Sequence, residues 1–128
     1  MKGPIKLHLW DHDFELGIEV QKYLYGGGLA LFLHCLEKGK PVEPFADMTV
    51  NLQMYPTTGS KAFVDVNNFP QVVELIENNR LGHLTGRVGQ SGFCAYPEVE
   101  FDLKEVGKYA LNVDSLNKIM SEHIAVER

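Results

Sequence analysis

Hydrophobic and polar positions alternate along the first half of the chain with a period of two, the mark of half-buried strands. Ile5, Leu7 and Leu9 alternate with Lys6, His8 and Trp10. After the polar turn Asp11-His12-Asp13, Phe14, Leu16, Ile18 and Val20 alternate with Glu15, Gly17, Glu19 and Gln21. Two such runs across a short turn predict an antiparallel hairpin. Gly26-Gly27-Gly28 breaks the chain, and the almost wholly apolar stretch from Leu29 to Leu36 suits a central strand. Glu37-Lys38-Gly39-Lys40 then turns it. Pro41 and Pro44 keep the next residues extended, ahead of a fourth strand from Phe45 to Leu52 with Ala46, Met48, Val50 and Leu52 on one face. A loop over Tyr55 to Ser60 and a short fifth strand, Ala62 to Val66, complete an antiparallel meander.

Beyond Asn67-Asn68 the period changes. Pro70 stands where a first helical turn tolerates proline, and Val72, Val73, Leu75 and Ile76 form a helical stripe. Asparagine at this junction is placed to cap the helix start. Asn78-Asn79-Arg80-Leu81-Gly82 supplies the stop, with Gly82 as a left-handed cap. Thr85 to Gly92 reads as a glycine-punctuated loop, and a strand follows from Phe93 to Leu103. On that strand Ala95, Val99, Phe101 and Leu103 share one face, leaving Glu98, Glu100 and Asp102 as a solvated acidic face. A last helix is predicted over Asp114 to Ala125, where Leu116, Ile119, Met120, His123 and Ile124 recur at helical spacing. The predicted fold class is α+β: a curved antiparallel sheet of five or six strands with two helices packed on one face. It is read as a single domain over residues 1–128, with Val126-Glu127-Arg128 frayed.

Length and charge narrow the functional classes. A chain of 128 residues suits one hydrophobic core. The net charge of -5 has the wrong sign for bulk attraction to phosphate backbones, so nucleic acid is disfavoured, although Lys38, Lys40 and Lys61 offer a local basic patch. No apolar run suits a signal peptide or membrane span, so a cytoplasmic protein is expected. Two cysteines are too few for a disulfide framework.

Several groups of residues invite a chemical reading. His8 and His12 with Asp11 and Asp13 are the nearest approach to a metal cluster, yet positions four apart on a strand are too far apart unless the turn folds back. No metal and no cofactor is expected. Cys94 follows Ser91-Gly92-Phe93, but nothing in the sequence places a histidine beside it to lower its pKa. Asp47 and Asp65 make an acid/base pair only if their strands are neighbours. Gly86, Gly89 and Gly92 recur every third residue, and with Arg87 and the hydroxyls of Thr85 and Ser91 such a loop would cradle an anion. Neither nucleotide-binding glycine fingerprint is present. Gly86-Arg87-Val88-Gly89 has the form of a KH-domain clamp, without the two helices that clamp joins.

The segments Phe45 to Leu52, Ala62 to Pro70, Leu81 to Gly86 and Ser91 to Pro97, with Leu7-His8-Leu9-Trp10, are familiar in their order and spacing. Together they resemble a family of small bacterial proteins described as a domain of unknown function, DUF4313. The resemblance runs from about Leu7 to Phe101, and the segment after Leu103 departs from it or extends it. It implies a bacterial cytoplasm and a place among the cargo of integrative, conjugative or phage-like elements of Gram-positive gut bacteria. It carries over no catalytic residue.

Two readings follow. In the first, the chain is a non-enzymatic accessory protein of a mobile genetic element that works by protein–protein interaction, regulating transfer or blunting host defence. Its contact surface is then the face of Glu98 and Glu100 with the Thr85–Gly92 loop. In the second, it is a small ligand-binding domain or enzyme, with an anion site at the Asn67 junction lined by Asp65, Asn67, Thr85, Arg87, Ser91 and Cys94. Pairing of a free sheet edge leaves a homo-oligomer open.

Overall fold

A computed structural model describes residues 3–26 and 28–127, with side chains placed up to residue 122. Strands β1 (Ile5–Leu9), β2 (His12–Lys22), β3 (Leu29–Glu37) and β4 (Lys40–Asp47) form a meander in that spatial order. The first hairpin closes on Leu9 opposite His12, with Trp10 and Asp11 at φ 54° and 59° in the turn. Two positive φ values are what a tight two-residue turn between twisted strands requires. The turn therefore precedes the predicted Asp11-His12-Asp13, and His12 and Asp13 belong to β2. The β3–β4 turn repeats the device with Lys38 and Gly39 at φ 52° and 80°. Pro41 and Pro44 lie within β4, which tolerates them because it is an edge strand with two register shifts.

The expected single sheet of five or six strands is instead two sheets of four. After Asp47 the chain changes sheet. The Met48 amide donates to Leu31 O at 2.9 Å, and the Leu31 amide donates to Thr49 Oγ1 at 3.1 Å. Strands β5 (Thr49–Val50), β6 (Lys61–Val64), β7 (Gly82–Ser91) and β8 (Cys94–Phe101) form the second sheet in the order β5-β6-β8-β7, antiparallel throughout. The crossing breaks the predicted Ala46–Leu52 face: Met48 packs into the main core, while Leu52, with Val50 against it, belongs to a separate cluster. Thr85 to Gly92 is not a loop either. All but its last residue form β7, and Gly92 at φ 60° begins the turn to β8.

Three helices are present, α1 (Val72–Asn78), α2 (Leu103–Gly107) and α3 (Val113–Glu127). Helix α1 starts without a side-chain cap, so Asn67 does not serve there, and its left-handed exit falls on Arg80 at φ 57°. Gly82 opens β7 instead, where a Cβ would lie 2.5 Å from the Glu100 carbonyl oxygen. Close strand approach, not capping, demands glycine. The predicted strand to Leu103 stops short because Asp102 caps α2, accepting from the Lys104 and Glu105 amides at 3.1 and 3.3 Å. In α3, Leu116 and Ile119 are buried, whereas the side chains of the predicted His123 and Ile124 fall outside the described residues. Helix α3 also includes the predicted frayed positions Val126 and Glu127, and Arg128 is outside the described residues. No helix among the described residues is long and apolar enough to cross a membrane.

The main core draws on both sheets and all three helices: Leu16 and Ile18 from β2, Leu31 and Leu33 from β3, Val64 and Val99 from the second sheet, and Ile76, Val106 and Leu116 from the helices. Strand β1 pairs with β2 only as far as Leu16. The edge beyond is taken over by the link between α2 and α3. Ile18 donates to Tyr109 O at 2.9 Å, and Leu111 donates to Ile18 O at 2.8 Å. Asn112 then binds both backbone groups of Val20, its Oδ1 accepting at 2.8 Å and its Nδ2 donating at 2.6 Å. Gly17 leaves room for Leu111, since a Cβ there would stand 2.6 Å from Leu111 Cδ2 and the leucine side chain would have to shift. Lys22 adds an ion pair to Glu122 of α3, which holds that carboxyl below its usual range. Replacing Asn112 with alanine strands both groups of Val20, and a loss of about 2 kcal/mol is expected. Urea denaturation at unchanged m tests this; a loss below about 0.5 kcal/mol would show that water replaces the amide freely.

Candidate functional site

The second sheet carries a small core of its own on the face away from the main one. Register places Val50, Phe63 and Glu98 in one row and Gly89 and Tyr96 in another. The segment between β5 and β6 folds across this face as a strap and buries Leu52 against Phe63 and Tyr96. A Cβ on Gly89 would lie 2.7 Å from Leu52 Cδ1, so glycine there makes room for the strap. The Tyr55 ring meets Phe63 edge-on, with centroids 6.0 Å apart.

Arg87 locks the strap down. Leu84 pairs with Val99 and Val88 with Pro97, so Thr85, Gly86 and Arg87 together oppose Glu98 in a bulge, with Gly86 at φ 93°. Thr85 Oγ1 accepts from the Arg87 amide at 3.1 Å and donates to Glu98 Oε1 at 2.8 Å. Arg87 Nη1 reaches Glu98 Oε2 at 3.1 Å and donates to Pro56 O, on the strap, at 2.8 Å. Its guanidinium stands 5.3 Å from the centre of the Phe63 ring, in cation–π geometry. Glu98 is only 3% exposed, so the expected solvated acidic face does not exist. Glu98 is bound by Thr85 and Arg87, Glu100 is half-buried with Lys61 opposite it in the β6–β8 register, and Asp102, though exposed, is a cap.

The anion pocket expected from Asp65, Asn67, Thr85, Arg87, Ser91 and Cys94 is divided by these pairings. Thr85 and Arg87 are engaged with Glu98. Asp65 is buried and accepts from Asn68, from its amide at 3.2 Å and its Nδ2 at 2.9 Å, which shapes the β6–α1 junction, while Asn67 is exposed. Ser91 is exposed opposite Cys94 at the β7–β8 turn. Cys94 is a half-buried free thiol packed against the small core. It lies beside Tyr96, whose phenol is raised above its usual range by burial first, then by the Cys94 thiol and the Asp65 carboxylate. Tyr23 bonds Thr49 Oγ1 at 2.8 Å, and burial likewise raises its pKa, with Asp47 and Asp65 adding to the shift. At the first hairpin His8 Nδ1 meets Asp13 Oδ1 at 2.7 Å, whereas His12 tilts toward Phe14. No group of three or more His, Cys, Asp or Glu among the described residues could hold a metal ion. Lys61 stands in the second sheet and Lys38 and Lys40 at a turn of the first, so the predicted basic patch is split between sheets.

A feature absent from the sequence reading lies where two loops meet. Asn51 Nδ2 donates to Tyr25 O at 3.0 Å and joins the β2–β3 loop to the strap. On the β2–β3 loop Leu24 is 89% and Tyr25 72% exposed, and on the strap Met54 is 87% exposed. Between the loops lies a cleft of about 70 Å³ whose lining includes Tyr23, Val50, Leu52, Tyr55 and Phe63. The signal was available in the sequence as large apolar side chains in stretches that the pattern assigned to no strand or helix. Scattered exposed apolar residues need no explanation, but three on two joined loops do.

No curated protein and no solved structure matches the chain. One family model does, over residues 17–123. The match begins within β2, later than the resemblance at Leu7, and continues through α2 into α3, beyond Phe101. The chain belongs to the family described as Domain of unknown function (DUF4313).

Proposed function

We propose that the protein is a non-enzymatic accessory protein of a bacterial mobile genetic element, working in the cytoplasm by binding another protein. One observation supports this above the others: Leu24, Tyr25 and Met54 project into solvent from two loops joined by the Asn51–Tyr25 bond, one of them the strap that Arg87 holds through Pro56 O. Aromatic and methionine side chains on a buttressed surface are characteristic of protein contact sites. This surface replaces the acidic face of Glu98 and Glu100 as the proposed contact. The ligand-binding or enzymatic reading would require Arg87 to hold an anion, and Arg87 is already spent on Glu98 and Pro56.

The test uses tagged protein in native bacterial lysate beside the triple variant Leu24→Ser, Tyr25→Ser, Met54→Ser. All three side chains are exposed, so the variant should melt close to the parent. A stoichiometric protein partner is expected with the parent and absent with the variant. Capture that survives the triple substitution would move the contact elsewhere. If native mass spectrometry instead found a bound small molecule and no protein, the binding-module reading would fail.

A further inference from the structure

Open sheet edges are unpaired rows of backbone donors and acceptors, which most proteins block. Three of the four outer edges here are blocked or short. β4 carries two prolines and two register shifts, β5 has two residues, and β7 is interrupted by its bulge. Strand β1 runs five residues with neither proline nor shift. Its two-residue turn makes Leu9–His12 a hydrogen-bonded pair, and alternation makes Leu7 and Ile5 members of such pairs too. The N–H and C=O groups of Lys6 and His8 therefore point away from β2. They have no hydrogen-bond partner among the described residues.

This edge is one wall of a groove of about 270 Å³, and α1 is the other. Leu7 and Leu9 on the strand and Leu75 on the helix supply its apolar part, with Lys6 on the strand wall and Glu74 on the helical wall as its lysine and carboxylate. Glu74 is the one carboxylate that α1 contributes to the lining, beside the neutral Gln71, Leu75 and Asn78. An edge strand facing a helix across a groove is the geometry in which extended peptides bind by adding a strand: the backbone bonds supply affinity, and alternate side chains supply selectivity.

We propose that this groove binds an extended segment of a partner protein as an added strand on β1, with apolar residues set against Leu7, Leu9 and Leu75 and a lysine or arginine against Glu74. The site is separate from the loop patch and stands or falls independently of it.

The probe is a short capped peptide alternating valine with lysine and threonine, labelled for fluorescence anisotropy against the full chain. Lys6→Pro removes one outward N–H and leaves the bonds to β2 in place, as proline on a free edge allows. Glu74→Lys reverses the charge of the helical wall at an exposed position. Saturable binding is expected, weakened about tenfold or more by either substitution and by N-methylation of alternate peptide residues. If Lys6→Pro does not fold, Glu74→Lys and the methylated peptide decide the matter. The proposal is overturned if the peptide does not saturate the protein, or if the substitutions and methylation leave binding unchanged. Self-association of the parent that disappears in Lys6→Pro would give the edge to a second copy, and would overturn it as well.

Discussion

Arg87→Ala is expected to lower stability by about 3–5 kcal/mol, the usual cost of leaving a buried carboxylate without its cation. The guanidinium is partly in solvent, but Glu98 is not, and it is the stranded Glu98 charge that carries the penalty. The same substitution frees Pro56 O and removes the cation from the Phe63 ring, so the strap loosens together with the pair. Arg87→Ala with Glu98→Gln should recover part of the loss, because an amide can be buried at lower cost than an unpaired charge. Arg87→Lys should fall between, since an ammonium cannot serve carboxylate, carbonyl and ring from one planar group. Urea denaturation of the parent, Arg87→Ala, Glu98→Gln and the double variant closes the cycle, with Arg87→Lys measured beside it. A loss below about 1 kcal/mol, or no recovery in the double variant, would mean that water reaches Glu98.

Phe63→Ala is expected to cost a similar amount, about 3–5 kcal/mol, for a different reason. The ring is 1% exposed and is shared by everything that holds the strap: Leu52, Tyr55, Tyr96 and the Arg87 guanidinium. The cavity left behind has a floor of strand backbone and cannot collapse cheaply. Cleavage by a protease between residues 51 and 60 should rise along with the loss of stability, because that segment would have lost its main apolar anchor. Phe63→Leu should cost less than half as much. If Phe63→Ala melted within about 1 kcal/mol of the parent with the strap still protected, the small core would be incidental to the fold.

The first sheet was largely legible because each of its devices is local: alternation in β1 and β2, an apolar run in β3, and a glycine turn before β4. The second sheet was not. The crossing at Met48 depends on bonds between Leu31 and residues far along the chain, and no periodicity records it. Glycines at 86, 89 and 92 suggested a loop, yet they mark a bulge, a packing contact with Leu52 and a turn. Glu98 was assigned to solvent by strand parity. Parity was right about its face and wrong about what covers that face, since the strap arrives from a segment with no strand pattern. Thr85 and Arg87 spend their polar groups on each other, Glu98 and the strap, and Asp65 on Asn68, partners that no spacing in the sequence reveals.

The patch on β2 has a bearing on synthesis. Ile18 and Val20 wait for partners about ninety residues downstream, since Val20 and Asn112 are separated by 92 positions. A chain emerging from the ribosome therefore displays an apolar, half-paired strand until Tyr109 to Asn112 are free, and contacts of this span form late. Nascent chains stalled before Tyr109 should bind a chaperone, and those released past Asn112 should not. Emergence of the segment 109–112 acts here as a closing step, and a stop codon ahead of it should yield insoluble protein rather than a slightly shortened one.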